Sequence, residues 1–225
     1  MVSRSVVVTG ASGYLGRALV DRAQQRGHRV KAFVRPGSED RVRPGTLLAV
    51  GNVFAVDDVA GALARGDTLV HLIGTPRPNP SKARQFREVD LRSAQVAASA
   101  AARAGAAHIV YVSVAHPAPV MQAYIAARSE AEEAMRATGI PTTILRPWYV
   151  LGPGHWWPYV LVPFYKLFEH VPSKRETALR LGLVTHGQMI AALMRAIEDG
   201  AKGARVMEVP EIRSALVSTP PGPTR

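Results

Sequence analysis

The sequence predicts an α/β fold with a doubly wound parallel sheet and a short C-terminal subdomain. Two patterns predict it: β-branched apolar runs alternate with helical runs along the chain, and a glycine-rich turn follows the first apolar run. Parallel strands that are covered on both faces have this continuous apolar character. The 225 residues, 47% of them hydrophobic, suffice for one buried core.

The apolar runs predict seven strands, because each is short and rich in β-branched residues. They are Arg4–Thr9, Arg29–Val34, Leu47–Val50, Thr68–Ile73, His108–Val112, Thr142–Leu145 and Arg205–Val209. Between them, apolar residues recur at helical spacing, which predicts five helices. These are Tyr14–Gly27, Asp57–Ala64, Lys82–Ala104, Met121–Thr138 and Gly187–Glu198. We therefore expect one domain over residues 1–217, with a substrate-side segment at 147–185 and a disordered tail at 218–225.

The net charge of +11 raises the question of nucleic-acid binding, but the basic residues are scattered and form no long block. We therefore expect no nucleic-acid partner. The chain has no cysteine, which excludes disulfides, thiolate metal sites and a cysteine nucleophile. With no segment typical of a signal peptide or a membrane span, a cytoplasmic protein without a metal is expected.

Three glycines follow the first strand at a spacing of three residues: Gly10, Gly13 and Gly16. In a strand–turn–helix unit the first permits a tight turn, the second lets the backbone approach a pyrophosphate, and the third lets the helix pack on the strand. The helix then begins with amides and a partial positive charge that favour phosphate. This is the signature of a Rossmann-type dinucleotide site, to which Ser12, Tyr14 and Leu15 would also contribute.

The end of the second strand indicates which dinucleotide binds. An NAD site usually has an acidic residue there, for the ribose 2′-hydroxyl. This strand instead ends at Arg35, whose guanidinium suits a 2′-phosphate, and Arg17 could assist. The sequence thus favours NADP(H) over NAD(H), the alternative being that Arg35 is a solvated loop charge.

With these motifs, the chain resembles the atypical short-chain dehydrogenases/reductases, relatives of the epimerases and dehydratases. The resemblance covers about residues 4–210 and rests on ordered segments: TGASGYLG (9–16), FVR (33–35), VHLIG (70–74), YVSV (111–114), YIAAR (124–128) and ILRPWYVLGPG (144–154). It implies that Asn52, Val53, Gly74 and Pro147 also contact the cofactor. Asn52 would stand where the family often has an aspartate that reads adenine.

The resemblance further implies a catalytic set of Tyr124, Arg128 and Ser113. In such enzymes a tyrosine is the acid or base, a lysine four residues later holds the nicotinamide ribose, and a hydroxyl polarises the substrate oxygen. Here the lysine position is Arg128, which keeps the charge but not the shape. Ser113 is placed early, since the hydroxyl often lies one or two positions further, at Val114 or Ala115; His116 could then serve as the donor.

Aromatic residues are concentrated after the sixth strand: eight of the 14 Phe, Trp and Tyr residues fall between 148 and 168. A substrate pocket for an apolar or aromatic molecule is expected there, with Trp148, His155, Trp156 and Trp157 as its residues. A subunit interface or core patch, and contact with a membrane surface, are the alternatives. A homodimer through helices 82–104 and 121–138 is a further expectation from the family.

These observations predict an NADP(H)-binding oxidoreductase that transfers hydride to or from a carbonyl, alcohol or quinone-like apolar substrate. The replacement of lysine by Arg128 leaves open a protein that senses NADP(H) without turnover. A sugar-nucleotide epimerase or dehydratase is the weaker alternative, because such substrates need a larger C-terminal lobe.

Overall fold

In a computed structural model, which describes residues 2–152 and 181–216, nine strands form two sheets. In chain order they are β1 (Ser5–Thr9), β2 (Arg29–Val34), β3 (Leu47–Val50), β4 (Thr68–His71), β5 (His108–Val112), β6 (Thr142–Arg146), β7 (Tyr149–Leu151), β8 (Leu183–Thr185) and β9 (Ala204–Glu208). Seven of them form a sheet in the order β3-β2-β1-β4-β5-β6-β9, and all six neighbouring pairs are parallel. The order reverses between β1 and β4, so the predicted doubly wound sheet is confirmed.

Helices cover both faces of this sheet. They are α1 (Tyr14–Gln25), α2 (Val56–Ala62), α3 (residues 83–104), α4 (Gln122–Ala137), α5 (His186–Asp199) and α6 (Val209–Ser214). One core packs α1, α5 and α6 against the sheet, and a second packs α2, α3 and α4 against the opposite face. Because side chains alternate along a strand, Val6 and Val8 of β1 lie in the first core and Val7 in the second.

The structure differs from the sequence prediction at three places. The predicted helix 82–104 contains a π-helical segment, Phe86–Leu91. The last strand ends at Glu208, and Val209 begins α6, with Pro210 in its first turn. Finally, β7 and β8 pair in parallel and form a small second sheet. This sheet was not predicted, because its strands are short and of mixed polarity. The predicted tail 218–225 lies outside the described residues.

A buried polar chain joins β1, β4 and α3. The ring of His71 is fully buried, and hydrogen bonds join its Nδ1 to Thr9 Oγ1 (2.8 Å) and its Nε2 to Ser93 Oγ (3.2 Å). Burial, with the nearby charge of Arg128, lowers the pKa of His71 to about 3. His71 is therefore a neutral residue of the core, as its place in an apolar strand suggests.

We expect this histidine to make the fold sensitive to acid. Unfolded, an imidazole takes up a proton below about pH 6.5, whereas folded His71 does so only near its pKa of about 3. The unfolded state therefore binds more protons between these two pH values. As a result, the free energy of unfolding decreases as the pH is lowered, by up to ~1.4 kcal/mol per pH unit. When urea unfolding is measured between about pH 6.5 and 4, the free energy of unfolding should decrease less steeply for His71→Asn than for the wild type. Equal slopes would contradict this.

Candidate functional site

The glycine turn between β1 and α1 has the geometry that a phosphate loop requires. Gly10 has φ +76°, a conformation that favours glycine, and its carbonyl accepts a hydrogen bond from the Gly13 amide (2.9 Å). A Cβ on Gly16 would overlap that carbonyl oxygen and lie 2.7 Å from Ala11 Cα. Each predicted glycine thus stands where a side chain would disturb the turn.

The start of α1 fits the pyrophosphate of a dinucleotide. Gly13 is its N-cap, and within the described residues no side chain caps this end and no acidic residue lies in the first turn. The amides of Tyr14, Leu15 and Gly16 have no acceptor inside the helix, so they can donate to phosphate oxygens. Ser12, half-buried, belongs to the same turn.

The end of β2 presents an exposed arginine. Arg35 donates through Nε to Ser38 Oγ (3.2 Å), which steadies the side chain. Its two Nη groups make no hydrogen bond to any residue that the structure describes. Arg17, one position beyond the third glycine, is also exposed.

The end of β3 forms a turn beside this arginine. The amide N–H of Asn52 donates to Asp58 Oδ2 (2.7 Å), and Asn52 Oδ1 accepts from the Phe54 amide (3.0 Å). A Cβ on Gly51 would lie 3.0 Å from the Asp58 side chain. Asn52 is exposed, with half-buried Val53 beside it. Asp58, which holds this turn, was not among the predicted site residues.

Tyr124 and Arg128 lie together at the other end of the site, one turn apart on α4. The guanidinium carbon of Arg128 is 5.2 Å from the centre of the Tyr124 ring, and that ring packs on Phe86 at 4.8 Å between centroids. Tyr124 and the cation of Arg128 are therefore close to each other, as expected. The guanidinium lies over the face of the Tyr124 ring.

Arg128 is buried, with 6% of its side chain exposed, and makes an ion pair from Nη2 to Asp90 Oδ1 (2.6 Å). Its Nη1 donates to Tyr111 Oη (3.1 Å) and to the Val112 carbonyl (2.9 Å). Burial opposes its charge, but Tyr111, Tyr124 and Asp90 around it raise its pKa. Burial also raises the pKa of Tyr111 to about 12, so its hydroxyl stays protonated.

Gly74 and Thr75 complete this cluster. A Cβ on Gly74 would overlap Nη2 of Arg128 and lie 3.3 Å from Asp90 Oδ1. Asp90 Oδ2 accepts hydrogen bonds from the amide and hydroxyl of Thr75, at 3.0 and 2.5 Å. The Arg128–Asp90 pair thus holds the loop that follows β4, where the cofactor ribose is expected to pass. Sequence reasoning identified Arg128 and Gly74 but missed Asp90.

A second buried polar group lies at the ends of β5 and β6. Glu132, 1% exposed, accepts two hydrogen bonds from Arg146, at 2.9 and 2.6 Å. Burial opposes its ionisation, but the Arg146 guanidinium and the neighbouring Ser113 hydroxyl lower its pKa. Glu132 is therefore an anion, and the Ser113 hydroxyl is one of its neighbours.

The substrate-side residues are described in part. Pro147 is buried, and its carbonyl accepts from the Ala115 amide (3.0 Å). Trp148, half-buried, packs with Ala115, Ala118, Ile125 and Leu181 in a small apolar cluster. His155, Trp156 and Trp157, with the rest of the aromatic segment 153–168, lie outside the described residues.

The phosphate loop also touches the C-terminal half of the chain. The rings of Tyr14 and His186 meet edge to face at 4.6 Å, and a Cβ on Gly152 would overlap the Tyr14 hydroxyl. In the two described ranges, no cluster of three or more His, Asp or Glu residues could hold a metal ion. No helix in these ranges is both long enough and apolar enough to cross a membrane.

Comparison with known proteins agrees with a dinucleotide site. A profile of the NAD(P)H-binding family matches residues 10–154. A ceramide reductase from Caulobacter vibrioides is 32% identical over 154 residues, which are 66% of this chain and 47% of that protein. A chloroplastic divinyl chlorophyllide a 8-vinyl-reductase from Oryza sativa is 35% identical over 159 residues, 64% of this chain and 39% of that protein. The chain thus spans half or less of these relatives.

Solved structures share the fold at low identity. The enzyme WbmH from Bordetella bronchiseptica in complex with NAD⁺ has a TM-score of 0.67 and 18% identity, over 99% of this chain and 85% of that one. The UDP-N-acetylglucosamine 4-epimerase from Bacillus cereus has a TM-score of 0.66 and 18% identity, over 94% and 84%.

A double-mutant cycle should show that Arg128 and Asp90 depend on each other. Arg128→Met would leave the Asp90 carboxylate buried without its cation, which we expect to cost about 3–5 kcal/mol of unfolding free energy. Asp90→Asn in that background removes the stranded charge, so the double variant should lose less than the sum of the single losses. Additive losses in urea unfolding would show that the pair is not coupled.

Proposed function

The chain belongs to the NAD(P)H-binding family of the atypical short-chain dehydrogenases/reductases, and from this premise we propose that it is an NADP(H)-dependent oxidoreductase. Its reaction would transfer hydride to or from a carbonyl, alcohol or quinone-like group of an apolar substrate. The proposal depends on one observation: the nucleotide-binding turn and the reactive residues lie at the same edge of the sheet. The uncapped start of α1 and the Tyr124–Arg128 pair both lie beyond the carboxyl ends of parallel strands, where such folds bind ligands.

The preference for NADP(H) is supported by Arg35. Two of its nitrogens remain available at the end of β2 while its Nε is bound to Ser38, so the fork can meet a phosphate with two hydrogen bonds. The turn held by Asp58 would place Asn52 against adenine, and Gly10, Gly13 and Gly16 would hold the pyrophosphate.

An apolar substrate is supported by the kind of relatives that the chain matches. They are named for ceramide, 3-beta-hydroxysteroids and divinyl chlorophyllide, all large and largely apolar molecules. In this chain, Trp148 forms an apolar cluster with Ala115 and Ala118 next to the end of β5. We propose this cluster as one wall of the substrate pocket.

When bound, NADPH would supply the hydride for the carbonyl carbon, and the residues of this chain would supply the proton for the carbonyl oxygen. We assign the proton to the hydroxyl of Tyr124, which would return to its protonated state from solvent. Arg128 keeps its guanidinium carbon 5.2 Å from the centre of the Tyr124 ring, which holds the ring in place next to the end of β5. In the oxidative direction the Tyr124 phenolate would accept the hydroxyl proton of the alcohol, and the hydride of the alcohol carbon would go to NADP⁺.

A protein that senses NADP(H) without turnover is a second candidate, and one observation favours it. Arg128 is engaged by Asp90, Tyr111 and the Val112 carbonyl, so its Nη atoms are directed into the protein rather than toward a ribose. Such a protein would keep the nucleotide site and lack hydride transfer.

Arg35→Ala should weaken NADPH binding and leave NADH binding unchanged, because only NADPH carries the 2′-phosphate. Loss of a charge-assisted contact of about 1.5–3 kcal/mol predicts roughly a 10- to 150-fold rise in the Kd for NADPH. Titration of tryptophan fluorescence with both nucleotides provides the measurement. Arg29→Ala, at the opposite end of β2 and equally exposed, is the matched control. An equal loss for NADPH in the two variants would contradict a specific contact.

Tyr124→Phe removes the proposed acid while keeping the ring that packs on Phe86. For the reduction of an apolar ketone by NADPH, kcat should fall by about 10²-fold or more, with the Kd for NADPH and the melting temperature unchanged. An unchanged kcat would remove Tyr124 from the reaction. Tight NADPH binding without hydride transfer to any ketone, aldehyde or quinone would favour the sensor.

A further inference from the structure

Three of the six exposed large apolar side chains among the described residues lie on one short strand, β3. Leu47, Leu48 and Val50 are 50%, 42% and 50% exposed. The strand stands at the end of the main sheet and, among the described strands, pairs only with β2. We infer that this edge binds the same edge of a second copy of the chain, so that the two sheets join in an antiparallel ladder across a two-fold axis. The inference does not depend on the proposed function.

The backbone of β3 directs hydrogen-bonding groups to its outer side. The Gly51 amide donates to the Val34 carbonyl in β2 (3.0 Å). Because the backbone groups of successive residues in a strand point to opposite sides, those of Ala49 also point toward β2, and those of Leu48 and Val50 point outward. No strand in the described part of the chain pairs with these outward groups. A row of such donors and acceptors is a template for another strand.

The strand lacks the features that usually keep a sheet edge from pairing. Edge strands in natural proteins carry charged side chains, proline or a bulge that twists the strand away. The segment 46–51 contains no charged residue and no proline, and the register of β3 with β2 runs without interruption from Leu47 to Val50. An edge of this kind therefore favours a partner strand over exposure to water.

A two-fold axis at Ala49 makes this edge complementary to itself. In that register Leu48 of one copy lies opposite Val50 of the other, and the two residues exchange hydrogen bonds through their outward groups. The same exchange occurs again on the other side of the axis, as a contact between identical surfaces requires. Leu48 and Val50 lie on one face of the strand, so four apolar side chains come together there. The same residues thus supply both sides of the contact, which identifies the partner as a second copy.

The charges on either side of β3 favour an antiparallel arrangement over a parallel one. Within residues 42–56 the one charged residue is Arg43, and Asp57 and Asp58 follow in the first turn of α2. All three are exposed. Antiparallel pairing directs Arg43 of one copy toward the acidic end of the other and keeps the two arginines at opposite ends of the ladder. Parallel pairing would instead bring the two arginines together, where they would repel each other.

The first test is the oligomeric state, measured by analytical ultracentrifugation between about 1 and 200 μM protein. A four-residue ladder is smaller than the standard interface of about 1,600 Å², so the wild type should pass from monomer to dimer in the micromolar range. Leu48→Lys places a charge in the centre of the contact and should raise the dissociation constant by roughly tenfold or more. Val120→Lys, at a side chain that is 55% exposed and lies outside β3, is the matched control and should dimerise like the wild type.

The second test measures the register, and the absence of cysteine from the chain makes it direct. In Ala49→Cys the new thiol faces its own counterpart across the axis, with about 4.5 Å between the Cα atoms, which a disulfide can span. Oxidised glutathione, which accepts the two electrons that the thiols release, should therefore convert this variant to a covalent dimer. Leu48→Cys is the matched control, because its counterpart lies diagonally across the ladder, about 7–8 Å away, beyond the reach of a disulfide.

The two tests together decide the inference. A wild type that stays monomeric up to the highest concentration would overturn it. A dimer that Leu48→Lys does not weaken would also overturn it, because that dimer would use another surface, such as the helices α3 and α4 that the family resemblance favours. Equal cross-linking of Ala49→Cys and Leu48→Cys would contradict the register. If Leu48→Lys lowers the melting temperature, the cross-link of Ala49→Cys remains as the deciding measurement.

Discussion

The buried ion pair between Arg128 and Asp90 is the interaction on which the reactive half of the site depends. Four parts of the chain meet at it: α4, the π-helical segment of α3, the end of β5 and the loop after β4. A charge taken from water into a protein interior is tolerated only with close partners, and Arg128 has them on three sides. The loop that carries Gly74 and Thr75 can follow its path only because a glycine leaves room for the guanidinium. The pair therefore holds these four parts of the chain together, independently of any role in catalysis.

Two buried polar groups lie at this edge of the sheet, one around Arg128 and the other around Glu132. The first, around Arg128, lies next to Tyr124 and the loop that follows β4; the second, around Glu132, joins α4 to β6 through Arg146. Both contain a carboxylate and an arginine, and both draw on the same helix, since residues 124, 128 and 132 of α4 lie on one face at intervals of four. A rigid helix thus keeps the nucleotide side and the substrate side at a constant separation, which hydride transfer requires.

The parallel sheet could be predicted from the sequence, because few folds other than a doubly wound sheet combine seven β-branched runs with a glycine turn after the first. It was also sufficient for the phosphate loop, where Gly10, Gly13 and Gly16 meet steric demands that a short segment imposes on itself. It was not sufficient for the reacting end. Asp90 is far from Arg128 in sequence, and the π-helical segment that presents it has no distinct composition. Glu132 could have been found from its spacing with Tyr124 and Arg128, but the direction in which Arg128 points depends on tertiary contacts. The pairing of β7 with β8 likewise depends on segments far apart in the chain.

The contact of Tyr14 with His186, and the close approach of its hydroxyl to Gly152, has a consequence for how this protein can vary. Tyr14 belongs to the turn that would hold the pyrophosphate, yet its ring also contacts His186 at the start of α5. A substitution of Tyr14 would therefore change both the nucleotide site and the packing against Gly152 and His186. Nucleotide affinity and the attachment of the C-terminal half to the phosphate loop are therefore expected to change together in evolution through Tyr14.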